Sequence, residues 1–525
     1  MTVLMLDNVG PGPAGTVAFG EAPLTIEDIL AVAHAGAQVR LDRTPEFTAH
    51  IRDGAAFLDR VLREDGVIYG VTTGYGDSCT VDIPPALVEE LPLHLLRFHG
   101  CGLGAHLSPE MARAVMAARL ASLARGYSGV SWELLERLET LLNHDVTPLI
   151  PEEGSVGASG DLTPLSYVAA LLVGERDAVY EDRTRPAQDI LEELDLSPLR
   201  LRPKEGLAIM NGTAVMTALA CDAYARAEYL TRLCTRLTAM ASAALQGNQY
   251  HFDQKLFELK PHPGQGEIAG WLREDLDTGD TPRNSDRLQD RYSIRCAPHV
   301  IGVLRDSLPW MRNFIETELN STNDNPIIDA VDEQILHGGH FYGGHIAFVM
   351  DGLKNCVANL ADLMDRQLAL LVDSKFNNGL PSNLTGAPTG RVEINHGFKA
   401  IQIGVSAWTA EALKQTMPAS VFSRSTESHN QDKVSMGTIA ARDCIRVLEL
   451  TEQVAAAHVI ATAQAVELRH RLDVDQGAPN AKTPVAQFAE TVFADFEFLA
   501  EDRALEADLR GMIDIVRARK WDLYD

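Results

Sequence analysis

The sequence lacks the features that direct a chain to a membrane, to secretion or to nucleic acid. Its first residues, MTVLMLDNVGPGPAG, hold neither a basic stretch nor a continuous apolar one, so no secretory signal is expected. No apolar run approaches the length that spans a bilayer. Basic side chains are few, 46 against 73 acidic ones, and the net charge of -27 disfavours nucleic acid and anionic membranes as partners.

Cysteine is also sparse. The seven cysteines are scattered and never form a Cys-x-x-Cys pair, so they offer neither a disulfide framework nor a zinc cage. This pattern fits the reducing cytoplasm. No internal repeat is evident. We therefore expect a cytoplasmic globular protein whose 525 residues are enough for a substantial core.

Helical periodicity dominates what is present. Thr25-Ile26-Glu27-Asp28 has the form of a capping box, and Ser108-Pro109-Glu110 gives an N-cap, a proline and an acid at a second helix start. Alternating strands are scarce, and GVIYGV and the region around DAVYEDR are the best candidates. The pattern predicts a mainly α fold with a central bundle of long helices. The predicted helices include 132–143, 212–245, 346–373 and 442–472, and the predicted loops are 277–287 and 379–391.

Glycine-rich and polar segments interrupt the helical pattern. IYGVTTGYG (68–76) places Tyr69 and Tyr75 on a loop, and no GK[ST] follows that would make it a phosphate loop. Tyr292 and Arg295, three residues apart, adjoin on a helix face, where an arginine suits bidentate binding of a carboxylate. Each such segment can also be a simple cap or turn. The other segments are KEGLAIMNGT (204–213), NSTNDNP (320–326) and ESHNQD (427–432).

Small residues crowd the stretch EEGSVGASGDLTPLS (152–166). Gly160 has no side chain to hinder attack of its nitrogen on the carbonyl of Ala158, and Ser159 between them can lose water to become dehydroalanine. The resulting ring would present an electrophilic exocyclic carbon, which no standard side chain supplies. Taken alone, the tripeptide is weak evidence, because a surface turn has the same composition.

Together and in order, these segments resemble the aromatic amino acid ammonia-lyase and aminomutase family, which includes histidine, phenylalanine and tyrosine ammonia-lyases. The resemblance runs from about residue 24 to about residue 470. It implies a nearly all-helical fold, a homotetramer whose subunits share active sites, and a self-made methylidene-imidazolone (MIO) prosthetic group, with no metal or external cofactor. The matching blocks are YGVTTGYG, GSVGASGDLTPLS, KEGLAIMNGT, YSIRCAP, NSTNDNPIID and NQDKVSMG.

The predicted segments of the chain follow from this resemblance and from a change to charged composition near residue 473. They are a flexible N-terminal segment (1–23), a region with the tyrosine loop and the MIO-forming loop (24–210), a central helical bundle (211–472) and a C-terminal helical cap (473–525).

The resemblance also implies a role for individual residues. Ala158, Ser159 and Gly160 would cyclise into the MIO group, with Asp161 aiding the dehydration. Tyr69 matches the catalytic base, which takes a weakly acidic β-proton if nearby dipoles and Arg295, the match to the carboxylate-binding arginine, lower its pKa. The other implied active-site residues are Tyr292, Phe98, His99, Asn211, Gln289, Asn323, Phe341, Glu427 and Gln431.

Substrate preference in this family depends on a pair of residues, here Phe98 and His99. Phe98 can pack against an aromatic ring and His99 can hydrogen-bond a phenol, although a lone histidine can also be a satisfied core residue. Gln431 stands where histidine lyases carry a glutamate for imidazole, and Glu427 matches a glutamate that approaches the substrate amine in phenylalanine lyases. The expected order of substrates is tyrosine, phenylalanine and histidine, which would give 4-coumarate, cinnamate and urocanate.

Three histidines depart from the family pattern. His94, His299 and His340 replace the usual residues, which leaves substrate identity open but not the cofactor. A cluster of histidines near residue 340 lacks acids at ligand spacing, so no metal is predicted. Two alternatives stay open. An aromatic 2,3-aminomutase would use the same groups, and a helical oligomeric scaffold would use none of them.

Overall fold

The structure, a computed structural model, describes residues 15–64, 66–276, 288–475 and 483–524. The chain divides into two compact units. The first is built from the chain up to Ala223, Met311–Asp351 and Pro418–Arg442, and the second from Tyr224–Trp310, Gly352–Met417 and the chain from Asp443 onward. The segment boundaries predicted above stay a prediction, and the predicted loop 277–287 lies outside the described residues.

The first unit combines short strands with helices of moderate length. Its helices are α1 (Ile26–His34), α2 (Pro45–Arg63), α3 (Leu91–Phe98), α4 (Pro109–Leu123), α5 (Trp132–Asn143), α6 (Leu162–Leu172), α7 (Ala187–Glu193) and α8 (Glu205–Met210). Its strands are β1 (Thr16–Phe19), β2 (Gln38–Leu41), β3 (Leu103–His106), β4 (Thr147–Pro148), β5 (Pro151–Glu153), β6 (Asp177–Tyr180), β7 (Arg183–Pro186), β8 (Ile327–Asp329) and β9 (Gln334–Leu336). β1 and β2 pair in parallel, whereas β3–β5, β4–β6–β7 and β8–β9 are antiparallel.

The boundary between the units falls inside four long helices. These are α9 (Ala214–Ala244), α13 (Ala297–Leu319), α14 (Gly344–Val372) and α16 (Gly437–Asp475). The second unit also contains α10 (Gln254–Leu259), α11 (Pro263–Asp275), α12 (Tyr292–Arg295), α15 (Lys399–Lys414), α17 (Pro484–Val492) and α18 (Glu506–Arg517). The mainly helical fold with long central helices is confirmed.

Local sequence signals account for the helix starts. The Thr25 hydroxyl accepts the backbone N–H of Asp28 at 3.2 Å, and the Asp28 carboxylate accepts the N–H of Thr25 at 2.8 Å, so the predicted capping box is confirmed. Ser108 caps α4 by accepting the N–H of Met111 at 3.3 Å. Both caps satisfy N–H groups that the first helical turn leaves without partners.

One of the two strand predictions is wrong. DAVYEDR does form strands, since Asp177 of β6 pairs with Pro186 of β7. GVIYGV instead makes a turn, in which the Ile68 carbonyl accepts the N–H groups of Val71 at 3.1 Å and Thr72 at 2.9 Å. Ile68 and Val71 pack into a buried apolar cluster with Phe57 and Leu58 of α2, whereas Val67 is exposed. This cluster anchors the start of the tyrosine loop.

The core of the first unit lies around α4. From Met111 to Leu123 every residue of this helix is buried, including Arg113 and Arg119, and the helix contacts α1, α5 and α8. A helix buried on all faces has little amphipathic pattern, so its apolar residues show no single stripe. Among the described residues, no helix combines the length and the apolar character needed to cross a membrane.

Candidate active site

The loop that carries the Ala-Ser-Gly tripeptide leads from β5 to α6 in the first unit. Gly157, Ser159 and Gly160 have φ of 74°, 52° and 76°, in the left-handed region that disfavours side chains. A Cβ at Gly160 would lie 2.1 Å from the carbonyl oxygen of Gly212, so the close approach of the two backbones requires glycine there. The loop therefore has a conformation that an ordinary surface turn does not need.

Two other segments of the first unit clamp this loop. The N–H of Asp161 donates to the Gly212 carbonyl at 2.7 Å, just before α9 begins. The N–H of Met436 donates to the Val156 carbonyl at 3.0 Å, just before α16 begins. These bonds bring together three of the blocks on which the family resemblance was based, although the bonded residues are 51 and 280 positions apart in sequence.

Asp161 is the hub of this arrangement. Its carboxylate is fully buried and accepts the N–H of Met216 at 3.0 Å, the hydroxyl of Ser155 at 3.2 Å and the hydroxyl of Thr438. Burial raises the pKa of the Asp161 carboxyl to about 6, against the hydrogen bonds, which lower it. Sequence reasoning singled out neither Ser155 nor Thr438 as a partner of Asp161, because a hydroxyl carries no charge pattern to mark it.

Gln431 lies against the serine of the tripeptide. Its amide nitrogen donates to the Ser159 hydroxyl at 3.3 Å, and its amide oxygen accepts the hydroxyl of Thr426 at 3.0 Å. Because Thr426 engages the oxygen, the amide NH₂ is directed at Ser159. The residue that the sequence placed in the substrate site thus touches the tripeptide itself.

Tyr69 and Glu427 meet at the tyrosine loop. The Tyr69 hydroxyl accepts the N–H of Gly76 at 2.7 Å, and the Glu427 carboxylate accepts the N–H of Asp77 at 2.9 and 3.1 Å. Burial, and secondarily the charge of Glu427, raise the pKa of Tyr69, while the Gly76 dipole lowers it. Within this unit the phenol is therefore held in its neutral form, because burial outweighs the expected help from the Gly76 dipole.

Asn211 and Asn323 are both buried beside the tripeptide's clamp. Asn211 is 2% exposed and donates its amide N–H to the Asn325 carbonyl at 3.1 Å, while its amide oxygen has no hydrogen-bond partner among the described residues. Asn323 is 6% exposed and donates to the Glu318 carbonyl at 3.1 Å. A buried amide oxygen without a partner is costly, so the Asn211 oxygen is a candidate contact for a bound group.

Buried charges hold these asparagines in place. Lys204 and Asp324 form an ion pair at 2.5 Å with both side chains fully buried. Arg119, also fully buried, donates to the carbonyls of Asn323, at 2.9 Å, and Ala208. Burial lowers the pKa of Lys204 while Asp324 raises it. Sequence reasoning missed this role of Arg119, since nothing in a helical stripe marks an arginine as buried.

The predicted specificity pair ends α3 of the first unit. The rings of Phe98 and His99 lie 4.3 Å apart, and Phe98 is 59% exposed. His99 Nδ1 faces the Leu95 carbonyl at 3.0 Å, which only accepts, so Nδ1 carries the proton and Nε2 is the acceptor. Burial lowers the pKa of His99 and keeps the ring neutral. His94, on the same helix, is exposed.

Phe341 and His340 lie in the turn that precedes α14. Phe341 is half-buried and His340 is exposed. The ring of His345 packs edge-on against Phe314 at 4.9 Å. Across the described parts of the chain, no group of three or more His, Cys, Asp or Glu is arranged to hold a metal ion.

The remaining predicted residues belong to the second unit. Tyr292 and Arg295 form the short helix α12, where the guanidinium of Arg295 lies 4.6 Å from the Tyr292 ring and donates to the Asp290 carbonyl at 2.9 Å. Tyr292 is 71% exposed, and Gln289 is exposed as well. His299 packs on Phe257 in the same unit at 5.4 Å, and burial lowers its pKa.

Known proteins match almost the whole chain. The family described as "Aromatic amino acid lyase" matches residues 24–492. A histidine ammonia-lyase of Gloeobacter violaceus is 36% identical over 94% of both chains. The solved histidine ammonia-lyase of Trypanosoma cruzi is 30% identical with a TM-score of 0.86 and covers 96% of this chain and 93% of its own. A solved tyrosine aminomutase of Streptomyces globisporus is 33% identical with a TM-score of 0.87, covering 96% and 97%.

The chain belongs to the aromatic amino acid lyase family. It is a carbon–nitrogen lyase, which excludes the scaffold alternative. Histidine ammonia-lyases recur among its curated relatives, so the comparisons favour the histidine alternative over the tyrosine reading of the specificity pair.

Proposed function

We propose that this enzyme eliminates ammonia from L-histidine to give urocanate. Support comes from the extended similarity to histidine ammonia-lyases, which spans nearly the full length of the chain and of the Gloeobacter violaceus relative. The neutral His99, whose Nε2 accepts, suits the N–H of an imidazole ring. The proposed assembly is a homotetramer with shared active sites, in the cytoplasm.

A prosthetic MIO group formed from Ala158, Ser159 and Gly160 fits the geometry of the loop. Cyclisation joins the Gly160 nitrogen to the Ala158 carbonyl carbon, whose oxygen leaves as one water, and Ser159 loses its hydroxyl and α-hydrogen as a second. The left-handed Ser159 and Gly160 and the absence of a Cβ at Gly160 support this closure. Once formed, the group would supply an electrophilic carbon for the amine of the substrate.

The proposed roles of the surrounding residues follow from their contacts. Asp161, clamped by its three donors, would take up a proton during dehydration, and a pKa of about 6 suits a group that exchanges protons near neutrality. Gln431 would support departure of the Ser159 hydroxyl by donating to its oxygen. Asn211 would offer its amide oxygen to the group.

The proposed substrate contacts follow from the family resemblance. Arg295 would bind the α-carboxylate as a bidentate pair beside Tyr292, and Gln289 and Asn323 would line the site. Tyr69 would remove the β-proton, which requires its raised pKa to fall when the site is assembled with substrate. Phe98, Phe341 and Glu427 would contact the ring and the amine of the substrate.

The second candidate substrate is tyrosine. Gln431 presents a neutral amide where a carboxylate would favour imidazole, and its NH₂ is engaged with Ser159 rather than free to hold a second ring. His99 Nε2 also accepts a phenol hydroxyl as well as it accepts an imidazole N–H. The structural similarity to tyrosine aminomutase makes a β-amino acid product part of the same test.

The decisive experiment supplies histidine, tyrosine and phenylalanine separately. We expect the absorbance of urocanate to appear with histidine, and no product with tyrosine or phenylalanine. Coumarate as the faster product would overturn histidine in favour of tyrosine, cinnamate would favour phenylalanine, and β-amino acids in the mixture would replace the lyase assignment by an aminomutase.

Maturation gives an independent test. The intact mass of the purified chain should be lower than that of the unmodified sequence by two water molecules, and Ser159→Ala should show the unmodified mass for its sequence, a normal circular dichroism spectrum and no turnover. Ser166→Ala, in the helix that follows the loop, is the matched control and should keep the loss of two waters. A wild-type mass equal to the unmodified sequence would refute the MIO proposal.

A further inference from the structure

A fully buried network of polar side chains lies in the second unit behind α12. Gln367 of α14 donates its amide N–H groups to the Ser293 carbonyl at 2.9 Å and to the Thr238 hydroxyl of α9 at 2.9 Å. Its amide oxygen faces His458 Nε2 of α16 at 3.0 Å. Gln367, Thr238 and His458 are each 0% exposed. The network ends on a backbone carbonyl between Tyr292 and Arg295.

The direction of every proton in this network is determined. The Ser293 carbonyl only accepts, so the Gln367 NH₂ must face it and the amide oxygen must face His458. His458 therefore carries its proton on Nε2, and its Nδ1 has no hydrogen-bond partner. Burial lowers the pKa of His458 to about 3, which keeps the ring neutral. The Thr238 hydroxyl donates a hydrogen bond to the Cys234 carbonyl at 2.8 Å.

Such a network is costly to bury where a group lacks a partner, and among the described residues three long helices supply partners to its groups apart from His458 Nδ1. A core built only for packing would place apolar side chains at these positions. Outside the long helices, the described residues that the network reaches belong to α12, whose single turn is also closed by the N–H groups of Ile294 and Arg295, which donate to the Arg291 carbonyl at 3.0 and 3.1 Å.

We infer that Gln367 and His458 are positioning residues that fix α12, and with it the side chain proposed to bind the substrate carboxylate. His458 orients the Gln367 amide, and Gln367 pins the Ser293 carbonyl. The backbone of the Tyr292–Arg295 turn is thereby held in a fixed position against the core, although the Tyr292 side chain is largely exposed. The catalytic consequence rests on the proposed function of Arg295, whereas the pinning of the turn does not.

The test compares Gln367→Met with Thr451→Val. Met keeps the size of the side chain and loses all three hydrogen bonds. Thr451 is equally buried on α16, and its hydroxyl bonds only to the Val447 carbonyl at 2.8 Å, so it controls for the loss of a core polar group. Amide hydrogen exchange over residues 292–295 should be ~10-fold faster in Gln367→Met than in the control. KM for the amino acid should rise ~10-fold with a smaller change in kcat.

A pair at position 458 covers the case in which Gln367→Met does not fold. His458→Phe removes the donor to the amide oxygen, whereas His458→Gln retains one. Amide hydrogen exchange over residues 292–295 should be faster in His458→Phe than in the wild type, and His458→Gln should restore the wild-type rate. Exchange in the turn equal to that of Thr451→Val in every variant would overturn the inference. A wild-type enzyme that releases ammonia from none of the three amino acids would refute the proposed function, and the exchange measurement would still decide whether the network pins the turn.

Discussion

At the scale of single residues, Asp161 shows how burial and hydrogen bonding compete on one carboxylate. Three donors surround it, yet loss of water around a fully buried charge outweighs them and raises its pKa to about 6. A raised pKa means that the folded chain binds this proton more tightly than the unfolded chain. The stability contributed by Asp161 is therefore fully present below its ordinary pKa of 3.8 and is lost as the pH rises through about 6.

The first prediction follows from this sign. Relative to Asp161→Asn, whose amide does not titrate, the wild-type free energy of unfolding should fall by ~2 kcal/mol between about pH 4.5 and pH 7. Urea denaturation of both proteins at the two pH values measures the difference. Asp332→Asn, which removes an exposed carboxyl and keeps Asp161, should show the same fall relative to Asp161→Asn as the wild type does. A constant gap between wild type and Asp161→Asn would contradict the raised pKa.

For single residues of the candidate site, the residue type was predictable evidence, whereas contacts between distant positions were not. The residue types of Ala158, Ser159 and Gly160 permit cyclisation, and the family resemblance made cyclisation the prediction. In the structure, Ser159 and Gly160 have left-handed backbone conformations. The Thr438 hydroxyl on Asp161 could not be predicted, because residues 277 positions apart meet only through packing, and the nearby Ser155 hydroxyl carries no charge pattern to mark it as a partner.

At the scale of elements, a carboxylate fastens the tyrosine loop. Glu427 accepts the N–H of Asp77, and a Cβ at Gly76 would lie 2.3 Å from the Glu427 oxygens, so loop and carboxylate are in close contact. Glu427, Ser428 and His429 all have positive φ, at 50°, 53° and 68°. Such backbone is strained in non-glycine residues and places the carboxylate over the loop.

The second prediction concerns this fastening. Glu427→Ala should speed hydrogen exchange at Asp77 and the short turn Gly76–Thr80 by ~10-fold, because the N–H loses a charged acceptor. Glu427→Gln, which keeps one amide oxygen, should give an intermediate rate. Glu89→Ala breaks an exposed ion pair with Arg200 and should leave the loop unchanged. Equal exchange at Asp77 in Glu427→Ala and wild type would show that other contacts hold the loop.

Element type and helix bounds were largely predictable. The capping box at Thr25 and the N-cap at Ser108 depend on side chains within three residues, so sequence alone contains them. The strand prediction for GVIYGV was wrong because β-branched residues fit any buried apolar surface. Here Ile68 and Val71 pack in a hydrophobic cluster and do not pair in a sheet.

At the scale of the whole molecule, a buried ion pair and an exposed ion pair of the first unit differ in what the loss of one partner costs. Lys204 and Asp324 are paired out of contact with water, whereas the Arg200–Glu89 pair has side chains 84% and 62% exposed. Removing one partner of a buried pair leaves the other charge without compensation, while an exposed partner is simply solvated.

The third prediction compares the two pairs. Lys204→Met should lower the free energy of unfolding by ~3 kcal/mol or more, and Arg200→Ala by less than ~1 kcal/mol, in urea denaturation followed by circular dichroism. Adding Asp324→Leu to Lys204→Met should recover part of the loss, since no unpaired carboxylate then remains. Equal costs for Lys204→Met and Arg200→Ala would mean that water reaches Asp324 in solution.

By itself the sequence determined the helical class, most helix bounds and the family, and it predicted the tripeptide as the reactive group, because periodicity, caps and ordered motifs are local properties of the chain. Only the tertiary structure decided that Gln431 faces Ser159, that Glu427 holds Asp77, and that Gln367 reaches Ser293. Each of these contacts joins residues far apart in sequence. Such hydrogen bonds form only where packing brings a donor and an acceptor from distant segments together, and local sequence patterns do not contain that information.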